Sequence, residues 1–196
     1  MSDEVTTPEI AVKQTESSED AKQLHLGSDG KLSDAVNSPK TSEGESTTST
    51  QSAQPPVPNC TFCRIIAKQL PSEIVYEDPE YVCFVDRSPA STHHYLIVPR
   101  QHIRDARALS VEQLPVIEKM AELGKQVLTE KGGSVEDVRM GFHWPPFLMV
   151  RHLHMHVISP ASRMGWLHRN IVFRTDSLVF TSPTATLDYL RKCLNK

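Results

Sequence analysis

The sequence predicts an α+β domain built on an antiparallel sheet, with one long helix, short helices and a disordered tail in front. Three observations carry this. Short runs of β-branched and aromatic residues come in groups instead of alternating regularly with helices; turn-forming residues separate them at meander spacing; and a single long stretch repeats its apolar residues at helical period. In chain order, Phe62, Ile65 and Ile66 recur at helical spacing over 61–69 and Pro71 ends the pattern, giving a first short helix. Ile74, Val75 and Tyr76 mark a strand over 73–77. A second, 81–86, follows across Asp78-Pro79, and a third, 94–98, follows Ser88-Pro89. Ser110 is placed to cap the longest helix, which carries Leu114, Ile117, Met120, Ala121, Gly124, Val127 and Leu128 on one face and stops at Gly132-Gly133. Pro115 falls in its early turns, where a proline can kink a helix. Two more strands, 138–143 and 152–159, flank a loop holding Pro145-Pro146, and a last helix over 186–194 sets Leu187, Leu190 and Leu194 on one side.

The chain has 196 residues, 38% hydrophobic and 6% aromatic, below the roughly 45–50% apolar share of globular domains. The deficit lies at the front. Residues 1–57 hold four lysines against ten carboxylates, a net charge of −6, with 17 serines and threonines and neither an aromatic residue nor a cysteine. Such a segment cannot bury enough apolar surface to offset its ordering entropy. Residues 1–58 are therefore read as a disordered acidic tail and 59–196 as one domain, entered through Pro55, Pro56 and Pro58. The domain carries 17 bases and 14 acids; a charge of +3 is too mild to argue for nonspecific nucleic-acid binding, and a small anion needs no more. No apolar run nears the roughly 20 residues of a membrane span, and the N-terminus lacks the regions of a signal peptide. The expectation is a soluble protein of the cytoplasm, with the nucleus open to passive entry of a 22.0 kDa chain. Its four cysteines fit reduced thiols, and no disulfide is needed.

His152-Leu153-His154-Met155-His156-Val157-Ile158 is the most informative stretch. Side chains in a strand alternate faces, so His152, His154 and His156 line one surface while Leu153, Met155 and Val157 back it. Three readings compete. Several close imidazoles can bind a metal; they can line a solvated strand face; or one can act as nucleophile or acid near neutral pH once a neighbour fixes its tautomer. Catalysis is preferred, because unpaired imidazoles gain little from packing.

The stretch resembles the motif of the histidine triad family, in which histidines and apolar residues alternate along a strand. Cys60-Thr61-Phe62-Cys63-Arg64-Ile65-Ile66, then Phe84-Val85-Asp86-Arg87-Ser88-Pro89, then His93-His94-Tyr95-Leu96-Ile97-Val98-Pro99-Arg100-Gln101-His102 fall in the family's order and spacing. Arg139-Met140-Gly141-Phe142-His143, followed by Pro145-Pro146-Phe147, is most similar to the Hint branch. The resemblance implies a HIT-like antiparallel sheet domain that often forms homo-oligomers, binds a purine nucleotide and cleaves a bond at its α-phosphorus, with no cofactor required. Carried over by position, His154 is the nucleophile, His156 holds the phosphate oxygens, His152 supports the central ring or a proton relay, and His94 is an additional pocket histidine. Phe62, Ile65, Leu70, Phe84 and Leu96 match the apolar wall of the base pocket, although ordinary core explains the helical ones equally well. Asp86 matches a carboxylate for the ribose hydroxyls and equally a cap for the Ser88-Pro89 turn. Parity allows the pocket: Phe84 and Asp86 share a strand face, as do His94 and Leu96. His143 stands where other branches carry an asparagine. Met149 replaces a serine three residues before the first histidine, and methionine cannot donate a strong hydrogen bond to a leaving group.

Cys60 and Cys63 are three apart, on one side of a short helix and at zinc-ligand spacing; buried reduced thiols explain the pair as well. Some family members complete a structural zinc site with histidines matching His102 and His152, so both readings stay open. Arg163, His168, Arg169 and Arg174 read as a solvated face. The expected function is hydrolysis of nucleoside phosphoramidates, such as adenosine 5′-phosphoramidates and aminoacyl- or acyl-adenylates, through a nucleotidyl-histidine. The alternatives are an aprataxin-like nucleic-acid deadenylase and a non-catalytic nucleotide-binding regulator, which Met149 favours. Neither nucleic acid nor membrane is an expected partner.

Overall fold

Strand parity builds the core from two sides. Val82 and Phe84 turn to one face of their strand while Tyr81 and Cys83 turn to the other, and all four are buried. The computed structural model describes residues 57–194; the tail expected over 1–58 lies outside the described residues except for Val57 and Pro58. The elements are α1 (Thr61–Ile66), β1 (Ile74–Glu77), β2 (Tyr81–Val85), β3 (His93–Pro99), α2 (Pro115–Glu130), β4 (Arg139–His143), β5 (Met155–Ser159), β6 (Phe180–Thr181) and α3 (Pro183–Leu194). All pairings are antiparallel, in the order β1-β2-β3-β5-β4-β6. The α+β reading is thus the architecture found. Among the described residues, no helix is long and apolar enough to cross a membrane.

The first three strands form the expected meander. Asp78 makes its first turn by accepting from the Glu80 and Tyr81 N–H groups at 2.7 and 2.6 Å. One face of the sheet carries α1, whose Phe62 and Ile65 pack with Val82, Phe84, Leu96 and Val98. The other carries α2, whose Ile117, Met120 and Val127 pack with Cys83, Ile97, Met155 and Val157. Leu187 and Leu190 of α3 close that second core. The predicted backing of the histidine strand is therefore real: Met155 and Val157 are fully buried beneath α2.

Helix ends differ from the predicted ones for local reasons. The first helix stops at Ile66, before Pro71, because Lys68 turns left-handed at φ 58°. Ser110 caps a single 3-10 turn, Val111–Gln113, through a capping box with Gln113. The long helix begins afterwards at Pro115, whose missing N–H is no loss at the first position. Gly132, at φ 77°, ends it as predicted. The last helix starts at Pro183, three residues earlier than expected. The predicted strand 152–159 pairs only from Met155, opposite Ile97 on β3. Upstream, the Leu153 N–H donates to the Ile103 carbonyl at 2.6 Å, outside that ladder. The pair Phe180–Thr181, for which the sequence predicts no element, adds a short strand on β4.

Gly124 sets how closely α2 sits on β5. A Cβ there would lie 2.8 Å from Val157 Cγ2 and 3.1 Å from both the Met140 and Met155 methyl groups. Gly124→Val should therefore overpack this face and lower stability by about 1–3 kcal/mol, read from the denaturant midpoint. An unchanged midpoint would show that the helix does not seat on the strand this closely.

Candidate active site

β5 is an inner strand. His156 lies opposite Leu96 on β3 and Gly141 on β4, so the two flanking strands bring their own side chains to it. From β3, His94 reaches across with Nε2 2.8 Å from His156 Nδ1. From the end of β4, His143 packs its ring 4.9 Å from that of His156. Gly141 is small because a Cβ there would strike the Phe180 ring at 2.7 Å and the Thr181 carbonyl.

Donors and acceptors fix every tautomer in this group. The Ala90 N–H can only donate, and it meets His94 Nδ1 at 3.0 Å, so the His94 proton sits on Nε2. That proton is donated to His156 Nδ1, which places the His156 proton on Nε2. His156 Nε2 is buried with no partner among the described residues, a donor left unused by them. His154 Nδ1 lies 2.7 Å from the His152 carbonyl, which can only accept; its proton is therefore on Nδ1, and Nε2 carries the lone pair. His143 Nδ1 donates to the Val179 carbonyl at 3.3 Å.

Burial holds these rings neutral. It pushes His94 down to about 3 and His154 down to about 4, and it lowers His156 and His143 as well. Asp86 lies 3.6 Å from His94 Nε2 and 3.9 Å from His156 Nδ1. With neutral rings these contacts are not ion pairs. Burial raises the Asp86 carboxyl, while the Ser88 N–H, donating at 2.7 Å, holds its other oxygen.

The apolar residues predicted for the nucleotide wall gather on the α1 side. Phe62 meets the His154 ring edge-on at 5.0 Å and Phe84 at 5.3 Å, and Ile65, Leu70 and Leu96 pack in the same cluster. Met149 is 99% exposed, in the loop before the histidines, and has no contact role with them.

The His152 ring takes no part in the His94–His156 group. It is fully buried, with Nε2 donating to the Pro99 carbonyl at 2.8 Å and Nδ1 facing Cys60 Sγ and Cys63 Sγ, each at 3.4 Å. His102 Nδ1 lies 3.3 Å from Cys63 Sγ. All four ligand atoms fall within 4.8 Å of one another. One imidazole lone pair cannot accept from two thiols at once, whereas a tetrahedral zinc with bonds of about 2.0–2.3 Å separates its ligands by roughly 3.3–3.8 Å. The donor set and its spacing therefore fit zinc. Burial pushes the Cys63 thiol up to about 11, a cost that a bound cation reverses. Asp86, His94 and His156 also lie within ligand range, but the 2.8 Å between the two rings is a shared proton, not the wider separation of two ligands.

A profile of the family described as "Scavenger mRNA decapping enzyme C-term binding" matches residues 59–172. The chain is 41% identical over 135 residues to the protein named adenosine 5′-monophosphoramidase HINT3 from Xenopus tropicalis, covering 68% of this chain and 88% of the relative. It is also 41% identical over 141 residues to the protein of that name from Mus musculus, covering 70% and 82%. The chain belongs to the histidine triad family. A solved HIT family hydrolase from Clostridium thermocellum, 29% identical, superposes with a TM-score of 0.50 over 52% of this chain and 90% of its own. The histidine triad motif thus sits where the geometry places the imidazole group.

Two site residues of this histidine triad protein escaped the sequence reading. Phe173, itself buried, packs its ring 5.2–5.4 Å from those of His94, His143 and His156. Arg139 of β4 holds the turn carrying it by donating to the Arg169 and Phe173 carbonyls at 2.7 and 2.9 Å. No local pattern announces Phe173. Phe180 was more legible, since Leu178-Val179-Phe180-Thr181 is a short run of strand type.

Neutral burial makes stability depend on pH. Unfolded imidazoles titrate near 6.5, whereas His94 and His154 do so only near 3 and 4 in the fold. Between those values the unfolded chain binds more protons, so the stability is fully present above about pH 6.5 and is lost as pH falls toward 4. Asp86, raised by burial, works in the opposite sense and offsets a part. Denaturant midpoints at about pH 7 and pH 4.5 should show the lower value in acid; a higher one would contradict neutral burial.

Proposed function

We propose that this protein is a nucleoside phosphoramidate hydrolase that works through a nucleotidyl intermediate on His154. One observation carries the reading: His154 is held neutral with its lone pair on Nε2, and beside it His156 presents an unpartnered Nε2–H, the ring centroids 5.1 Å apart. A nucleophile and a donor for a phosphoryl oxygen are what displacement at phosphorus requires. The names of the Xenopus and Mus relatives support the substrate class.

In the first step His154 Nε2 attacks the α-phosphorus, the P–N bond breaks and the amine leaves with a proton. In the second, water attacks the same phosphorus, the His154–P bond breaks and AMP departs. His156 Nε2–H holds a phosphoryl oxygen throughout, and its tautomer is set by the chain of bonds from the Ala90 N–H through His94. Phe62 and Phe84, with Ile65, Leu70 and Leu96, offer the base an apolar wall, and the Asp86 carboxylate serves the ribose hydroxyls. The leaving amine takes its proton from water, because the buried rings carry no extra proton at neutral pH and Met149 has none to give; the proton released by the attacking water of the second step restores the balance.

We also infer that Cys60, Cys63, His102 and His152 hold a structural zinc. When bound, the ion cross-links α1 to the segments around His102 and His152 through a closed four-ligand shell. The donor set and the Pro99 carbonyl on the far ring nitrogen of His152 support this reading. Metal analysis of the purified chain should find one zinc, and Cys63→Ser should lower both that content and the thermal midpoint; full stability without metal would contradict it.

Rapid mixing with an adenosine phosphoramidate, followed by intact-mass analysis, tests the chemistry. A transient AMP adduct with AMP release is expected, and His154→Ala should lose both by at least the roughly 10²-fold or more that removal of a nucleophile costs. Saturable nucleotide binding without adduct or release would reduce the protein to a nucleotide-binding regulator, and release confined to adenylated nucleic-acid ends would move it to deadenylation. Across pH, adduct formation should stay level from about pH 8 to 5 and fall only near 4, where His154 becomes charged. A fall centred near the ordinary imidazole value of about 6.5 would show that the ring is not held neutral by burial.

A further inference from the structure

We infer that the Cys60, Cys63, His102 and His152 centre positions the nucleophile, and that His152 is the connection between them; this rests on both readings above, the nucleophilic His154 and the zinc. All of the polar contacts of His152 are committed. Its Nδ1 faces the two sulfurs at 3.4 Å, its Nε2 donates to the Pro99 carbonyl at 2.8 Å, and its own carbonyl accepts from His154 Nδ1 at 2.7 Å. The ring is fully buried, so it cannot turn without losing one of these.

The sheet does not do this work. Pairing between β3 and β5 begins at Met155, so His152 and His154 lie upstream of the ladder, where the Leu153 N–H donates to the Ile103 carbonyl. The His152 carbonyl shares a peptide plane with the Leu153 N–H, so the Ile103 bond holds it from one side, while the centre and the Pro99 carbonyl hold it through the ring. The same centre holds α1 at Cys60 and Cys63, and Phe62, between them, meets the His154 ring at 5.0 Å. Releasing the four ligands therefore loosens two supports of His154 together: the carbonyl that keeps its proton on Nδ1 and the aromatic edge beside its ring. An imidazole without that carbonyl can carry its proton on Nε2, which removes the nucleophilic lone pair. His152 is a positioning residue on this account and touches no substrate.

The full chain would be prepared with zinc, with cadmium and without metal. Long-range proton–nitrogen NMR correlations report which His154 nitrogen is protonated, and single-turnover AMP-adduct formation with AMP affinity gives the functional readout. With zinc, His154 should be in one form, protonated on Nδ1. Without metal it should populate both forms, with adduct formation at saturating nucleotide slowed roughly 10–100-fold, the usual cost of losing an outer-shell partner, beyond the loss of AMP affinity that follows from the loosened Phe62. If the metal-free chain unfolds, cadmium decides: its longer bonds keep the ligands engaged while displacing His152, so the His154 signals should move and adduct formation should slow. Identical His154 signals and rates across the folded forms, or a chain that takes up no metal, would overturn the inference. An Nδ1-protonated His154 that responds to metal in a protein forming no adduct would uphold the positioning and refute the nucleophile.

Discussion

A neutral imidazole has one N–H and one lone pair, and a buried one must place both. The site follows from that constraint. The Ala90 N–H claims one nitrogen of His94, the His152 carbonyl claims one of His154, and the Pro99 carbonyl claims one of His152. Each claim settles what the opposite ring edge presents. His154 is left with a lone pair, His156 with a proton, and His152 with a lone pair facing two sulfurs. Main-chain groups make these assignments, so backbone geometry determines the chemistry of side chains some residues away.

Close packing makes the constraint binding. β5 is covered on one side by α2, which approaches through Gly124, while Phe62 packs on His154 just before the strand and Phe173 on His156 within it. Rings left in water would tautomerise freely and titrate near 6.5; enclosed, they stay neutral and oriented across the physiological range. That enclosure leaves His154 a lone pair and His156 an N–H while withholding a charged acid. Proton delivery to a departing amine is consequently the weakest provision of this pocket, and Met149, out in solvent, does nothing to improve it.

Similar residues in one alternating motif serve different ends because the backbone changes partners between them. His156 lies within the sheet ladder, and its neighbours arrive from adjacent strands. His152 lies before the ladder, and its neighbours arrive from α1 and from the turn after β3. The motif's central histidine stands between these two environments, two residues from His152 on one side and two from His156 on the other.

The sequence alone determined what depends on short-range order. Alternation placed apolar residues behind the histidines, turn residues separated the meander strands, and helical period with Gly132-Gly133 located the long helix and its end; all depend on neighbours along the chain. The resemblance to the family placed His94, His152, His154 and His156 in one expected group and left Cys60, Cys63, His102 and His152 open between a zinc site and buried thiols. Only the tertiary structure decided that the His152 ring belongs with Cys60, Cys63 and His102 while its carbonyl serves His154, that His154 exposes Nε2, and that Phe173, held by Arg139, packs on the histidines from far along the chain. Such assignments rest on hydrogen bonds and ring contacts between residues distant in sequence, where no local propensity or period constrains which backbone group a buried nitrogen will meet.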